Sequence, residues 1–129
     1  MATDRPTITA LAPRVRTGSL TATAMLDACL ARIRERDGAI NAFITVFEES
    51  AKTAALEADR EIAGGSYRVP LHGIPVSVKD LFDVAGQPTT AASAAMDDAL
   101  PATADAPAVD RKSTRLNSSH RCISYAVFC

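Results

Sequence analysis

The eight residues GIPVSVKD, positions 73 to 80, constrain this chain more than any other stretch. Ile74, Val76 and Val78 alternate with Pro75, Ser77 and Lys79, the period-2 pattern of a β-strand with one apolar face. Proline donates no ladder hydrogen bond, so Pro75 suits only the beginning of such a strand. Ser77 and Lys79 share the opposite face. Lysine at the strand's end admits two readings. In the first, the ammonium reaches water along its alkyl stem, with Asp80 as a surface ion-pair partner. In the second, Lys79 is buried, neutral and a base. Desolvation lowers a lysine pKa, and only the free amine accepts a proton.

Upstream, the period changes to that of helices. Ile8, Leu11, Ala12 and Val15 recur at helical spacing behind Thr7, which predicts a short helix over 7–16, with Pro13 as an irregularity inside it. Thr21 is a good N-cap for a second helix running to about Asp37. Leu26, Cys29, Leu30 and Ile33 form its stripe, and Gly38 is its expected stop. Residues 39–47, AINAFITVF, read as a strand or extended link. From Glu48 to Ile62 the helical period returns, with Ala51, Ala54, Ala55, Ala58 and Ile62 on one face. A face of alanines lets a neighbour approach closely. The segment after Gly86 is small, polar and turn-rich, and is not expected to build a core alone.

Residues 110–129, DRKSTRLNSSHRCISYAVFC, break with the rest. They offer a sequon at Asn117, a basic run of Arg111, Lys112 and Arg115, and His120 and Cys122 as metal ligands, each a weak match. One reading covers them all. Every codon fits an in-frame translation of a common sequencing adapter, with Arg121 and Cys122 spanning a six-base index. This tail is therefore set aside as non-native, and residues 1–109 are taken as the natural part. That part keeps 10 Lys/Arg against 14 Asp/Glu, and Cys29 alone among the cysteines. The balance gives no electrostatic case for nucleic acid or an anionic membrane. No run approaches the ~20 apolar residues of a membrane span. The start lacks a secretory pattern, so the default compartment is the cytoplasm. Cys29 reads as a small core hydrophobe.

The segment PLHGIPVSVKDLFDVAGQPTTAAS, residues 70–93, resembles the opening block of the amidase signature family. Residues 19–65 are similar to that family's N-terminal helices, and the resemblance spans about 7–109. It implies an α/β fold with helices packed on a mixed central sheet, here its N-terminal portion and incomplete. It implies amide hydrolysis by a serine nucleophile, a second serine beside a cis peptide bond, and a lysine base, with backbone N–H groups holding the oxyanion. Lys79 matches the family's lysine. The family's two serines belong to a downstream Gly/Ser-rich signature with no counterpart in this sequence. Ser77, Ser93, Ser113, Ser118 and Ser119 are the nearest candidates, the last three within the tail. Ser77 suits an ordinary strand serine, and Ser93 falls in a TTxxS segment that runs near the family's active site. His72 reads as a loop histidine without a catalytic role, and Gly73 as a turn glycine.

The expectation is an N-terminal part of an amidase that carries the catalytic lysine and is inactive alone. The substrate of the whole enzyme would be a small-molecule amide, with no metal or organic cofactor. Three alternatives remain: the amidase component of a tRNA-dependent amidotransferase, with partner subunits; a non-catalytic binding module; and a truncated reading frame.

Overall fold

The computed structural model describes residues 6–110 and the backbone of 126–128. Helix α1 spans Ile8–Arg16, α2 spans Ala22–Ile40, strand β1 spans Phe43–Val46 and helix α3 spans Glu48–Ala63. A long loop leads to strand β2, Val78–Lys79, and strand β3 is Ala126–Phe128.

The predicted helix starts hold. The hydroxyl of Thr7 accepts from the Ala10 amide and that of Thr21 from the Ala24 amide, each satisfying a donor that the first helical turn leaves free. Pro13 stays within α1, one turn from its end. The stop of α2 differs from expectation. Gly38 lies inside the helix, and Asn41 closes it with φ 52° and ψ 47°. Asparagine tolerates the left-handed region, and Asp37 supports it by accepting from the Ala42 and Phe43 amides at 2.8 and 3.2 Å.

Helices α2 and α3 pack through small side chains. Ala22, Leu26 and Leu30 of α2 meet Ala51, Ala55 and Ala58 of α3 in the main core cluster. Asp59 of α3 fixes the depth of this contact. Its carboxylate accepts from the amides of Ala22 and Thr23 at 2.6 and 3.1 Å, and from the Thr23 hydroxyl at 2.6 Å. One helix thus caps the next, with a negative charge at the positive end of α2. At the other end, Glu48 pairs with Arg34 of α2 and with Lys52 at 2.8 Å. The Lys52 hydrogen bond, then that of Arg34, holds the Glu48 carboxyl below its ordinary value.

The loop 64–77 returns across this seam. Gly73 sits at φ 77°, and a Cβ built there would lie 2.9 Å from the Ala22 Cβ and 3.7 Å from that of Ala58. Ile74 then joins Val15 and Met25 in a second cluster, bringing α1 into the core. His72 is the loop's polar anchor. It is 1% exposed, its ring stacks on Tyr67, and its Nε2 lies 3.0 Å from Glu61 Oε2 at the end of α3. Burial lowers its pKa, against the Glu61 charge, which raises it, while Arg68 adds a further lowering.

The sheet order is β1-β3-β2. Strand β3 runs antiparallel to β1, with an irregularity between Phe43 and Val46, and parallel to β2, with Lys79 opposite Phe128. Strand β2 is shorter than the alternation over 74–79 predicts. Its burial pattern holds, with Ile74 and Val78 buried and Ser77 and Lys79 exposed, but ladder pairing begins only at Val78. Pro75 lacks a donor in the stretch that does not pair. The turn-rich segment beyond Gly86 is less detached than expected. Val109 packs on Val78 and Val84, and Ala85 bridges to Ala102. His120, Cys122, Cys129, the Asn117 sequon, the basic run and Ser113, Ser118 and Ser119 lie outside the described residues.

Three expectations follow. Asp59→Ala should lower unfolding free energy by about 1–2 kcal/mol, the scale of a lost helix cap, as read by urea titration. Gly73→Ala should cost more than about 2 kcal/mol, because a left-handed backbone and a contact with Ala22 penalise the same methyl. His72, whose folded pKa is depressed, contributes fully above its unfolded pKa of about 6.5. That contribution should fall as pH drops below this value and toward the folded pKa. The urea midpoint of His72→Gln should accordingly vary less between pH 7 and 5 than that of the parent chain.

Candidate active site

Lys79 closes β2, and the turn that follows separates it from its neighbour. The Phe82 amide donates to the Lys79 carbonyl at 3.1 Å. The Lys79 side chain faces outward and Asp80 turns inward, where it is 7% exposed. Lys79 is exposed among the described residues, because it lies on the outward face of a strand that has its apolar face against Val84 and Val109. One reading is corrected here. Asp80 is a buried acceptor rather than a surface ion-pair partner. Its Oδ1 accepts from the Thr90 amide at 3.0 Å, and its Oδ2 from the Thr90 hydroxyl at 2.5 Å and the Ala92 amide at 3.3 Å.

These bonds hold the TTAAS segment, residues 89–93, beside the strand end. Ala91 and Ala92 have φ values of 51° and 54°. Two consecutive non-glycine residues in the left-handed region cost roughly 1–2 kcal/mol each. Charge-assisted hydrogen bonds to Asp80 offset that strain. Asp83 adds a second tie, accepting from the Thr89 hydroxyl at 2.7 Å. A small cleft of about 80 Å³ lies between this loop and β1, with Thr45, Phe47, Asp80, Phe82 and Thr90 on its walls.

Ser77 and Lys79 share the exposed face, as their spacing predicts. The Ser93 hydroxyl accepts from the Ala95 amide and caps the short 3-10 turn Ala94–Met96. This local task accounts for Ser93 without chemistry. Cys29 is half-buried, and burial raises its thiol pKa against the lowering charge of Arg32, opposite to the shift that activates a thiol. No group of three or more His, Cys, Asp or Glu side chains suited to a metal ion occurs among the described residues. No helix there is long and apolar enough to cross a membrane. Asp80 is the residue that sequence reasoning missed. Its only signal was an acidic side chain directly after an inward-facing/outward-facing alternation, where the next inward position falls on Asp80 itself.

Comparison with known proteins agrees with this arrangement. A profile of the family described as Amidase matches residues 24–113. An amidase of Pseudomonas putida is 43% identical over 91 residues, covering 70% of this chain and 19% of that protein. A glutamyl-tRNA(Gln) amidotransferase subunit from Anaeromyxobacter dehalogenans is 43% identical over 83 residues, covering 64% of this chain and 17% of its own. The chain thus spans about a fifth of the length of these relatives. The native peptide amidase of Stenotrophomonas maltophilia superposes with a TM-score of 0.77 and 28% identity, over 98% of this chain and 25% of that one. In fold, the described residues correspond to a partial helix-and-strand portion of such enzymes. The profile match covers α2 from its third residue, all of α3, the strand that bears Lys79 and the TTAAS loop: the chain belongs to the amidase signature family.

Proposed function

We propose that the whole protein to which this chain belongs hydrolyses small-molecule amides, with Lys79 as its base. The observation that carries this reading is the position of Lys79. It ends a strand within the matched region, shares an exposed face with Ser77 and stands beside a loop held in a strained conformation. In the proposed mechanism a serine attacks the amide carbonyl. A second serine, next to a cis peptide bond, relays the proton to the neutral amine of Lys79. Acylation then releases the leaving amine, and water completes the cycle by the same relay. Backbone N–H groups stabilise the oxyanion. The amine has to lose water to act as a base at neutral pH, so this reading requires cover over the exposed face of β2 in the working enzyme.

Residues 1–129 alone should be inactive. The sequence carries Lys79 but no Gly/Ser-rich signature, and residues 110–129 read as translated adapter rather than enzyme. Purified chain should release no ammonia from simple amides above a buffer blank. Hydrolysis that is lost in Lys79→Ala would overturn the expectation of inactivity. In a full-length enzyme, reconstructed by extending the genomic reading frame past codon 109, Lys79→Ala should lower kcat by at least the 10²–10⁴-fold typical of a lost acid–base group. A smaller loss would remove Lys79 from the mechanism.

A second reading has its own support. Several of the similar proteins are glutamyl-tRNA(Gln) amidotransferase subunits, at 39–44% identity. Under it the same lysine would serve one component of an assembly that works with partners. Co-purification of the full-length protein with further gene products, and dependence of its amidase activity on them, would favour it over a free-standing amidase.

A further inference from the structure

We propose that Asp80 is the positioning residue of this site, its buried carboxylate latching the Thr89–Ser93 loop into a strained conformation beside Lys79. The inference deepens the reading of Lys79 as a base and rests on it. Three observations meet at this carboxylate. It follows Lys79 directly and is almost fully buried, while Lys79 is exposed. Both its oxygens are engaged by one short loop, through the Thr90 amide, the Thr90 hydroxyl and the Ala92 amide. The loop so held contains the two consecutive left-handed alanines.

Backbone strain of this kind persists where surrounding contacts over-determine it, and such places cluster at active sites and ligand clamps. Glycine would adopt the same conformation without penalty, so alanine at 91 and 92 makes the loop depend on its tether. The Thr89 hydroxyl on Asp83 fixes the loop's entry, and Ser93 caps the turn at its exit. Asp80 reaches the middle. Because Asp80 and Lys79 are consecutive, the bond network that fixes the loop also fixes the backbone from which the lysine projects. The loop is thereby fixed relative to the strand end from which the lysine projects. Asp80 itself touches no reacting atom, and its part is to hold the loop and the lysine's backbone in register.

The latch is readable in the 129-residue chain without any activity. Native-state amide exchange should show Thr90, whose amide donates to Asp80, at least tenfold slower than Ala91, whose amide the latch does not use; the Ala92 amide is shared between Asp80 and the Thr90 hydroxyl and should be protected less than Thr90. Asp80→Asn should remove the contrast between Thr90 and Ala91 while far-UV circular dichroism keeps its helical signal. Acylation of Lys79 by an amine-reactive ester, measured by peptide mass spectrometry against Lys52 in the same sample, should change at least threefold in Asp80→Asn. Adding Ala91→Gly and Ala92→Gly to that variant should return the Lys79-to-Lys52 ratio toward the parent value, because glycine relieves the loop without restoring the charge. A ratio that stays shifted in the triple variant assigns the effect to the lost charge and overturns the positioning role. If Asp80→Asn does not fold, the parent chain still decides: absence of the contrast between Thr90 and Ala91 overturns the proposal. These readouts are independent of amide hydrolysis, so a failed latch and a failed assignment of Lys79 as base give different results.

Discussion

The close approach of Gly73 to the α2–α3 seam is the contact on which the rest of the structure depends. Ala22 at the start of α2 and Ala58 on the alanine face of α3 leave room for a loop to pass over the seam at van der Waals distance. A Cβ on residue 73 would come within 2.9 Å of Ala22. The crossing sets where Ile74 enters the core and where β2 begins, at Val78. A larger residue at Ala22 or Ala58 would displace the loop, and with it the lysine. The small side chains therefore do more than fill space. They give up burial that leucines would provide and gain in exchange a fixed path for the strand.

Carboxylates supply the second layer of order. Asp37, Asp59, Asp80 and Asp105 each accept from backbone amides beyond their own turn of chain. A chain with little regular sheet and long loops has many backbone donors that no ladder satisfies, and a buried unpaired N–H is costly. An aspartate can meet two at once, and its charge strengthens both bonds. These four aspartates thus have a structural role and need not mark a binding surface.

These two layers differ in how visible they are in sequence. Helix starts were legible at Thr7 and Thr21 because a cap and the helix it begins are neighbours. The alanine face of α3 was legible because periodicity is local. The end of α2 was not. Gly38 looked like the stop, but a glycine inside a helix costs only about 1 kcal/mol against alanine, and Asn41 with Asp37 behind it closes the helix better. The outward face of Ser77 and Lys79 followed from strand alternation, whereas the length of β2 depended on a pairing partner far away in the chain. Asp80 escaped because its partners are 10 and 12 residues downstream in a segment that reads only as polar turns. The surroundings of His72 likewise came from Glu61 on α3 and from Tyr67 earlier in the same loop.

The exposure of Lys79 then has a definite meaning. A neutral lysine needs desolvation, and nothing among the described residues supplies it on the outward face of β2. What they supply is position. The seam fixes the strand, its alternation turns the lysine outward, and Asp80 holds the adjoining loop. Strand β3 fits the same division. It joins β1 and β2 through main-chain bonds, and such bonds accept any extended segment regardless of its side chains. Its place in the sheet therefore follows from its backbone and says nothing of its side chains. The large apolar side chains left open to water, among them Ile40, Leu81 and Leu100, point the same way. In the proposed mechanism this part of the fold positions Lys79, and the desolvation that would leave its amine neutral has to come from structure packed over that outward face.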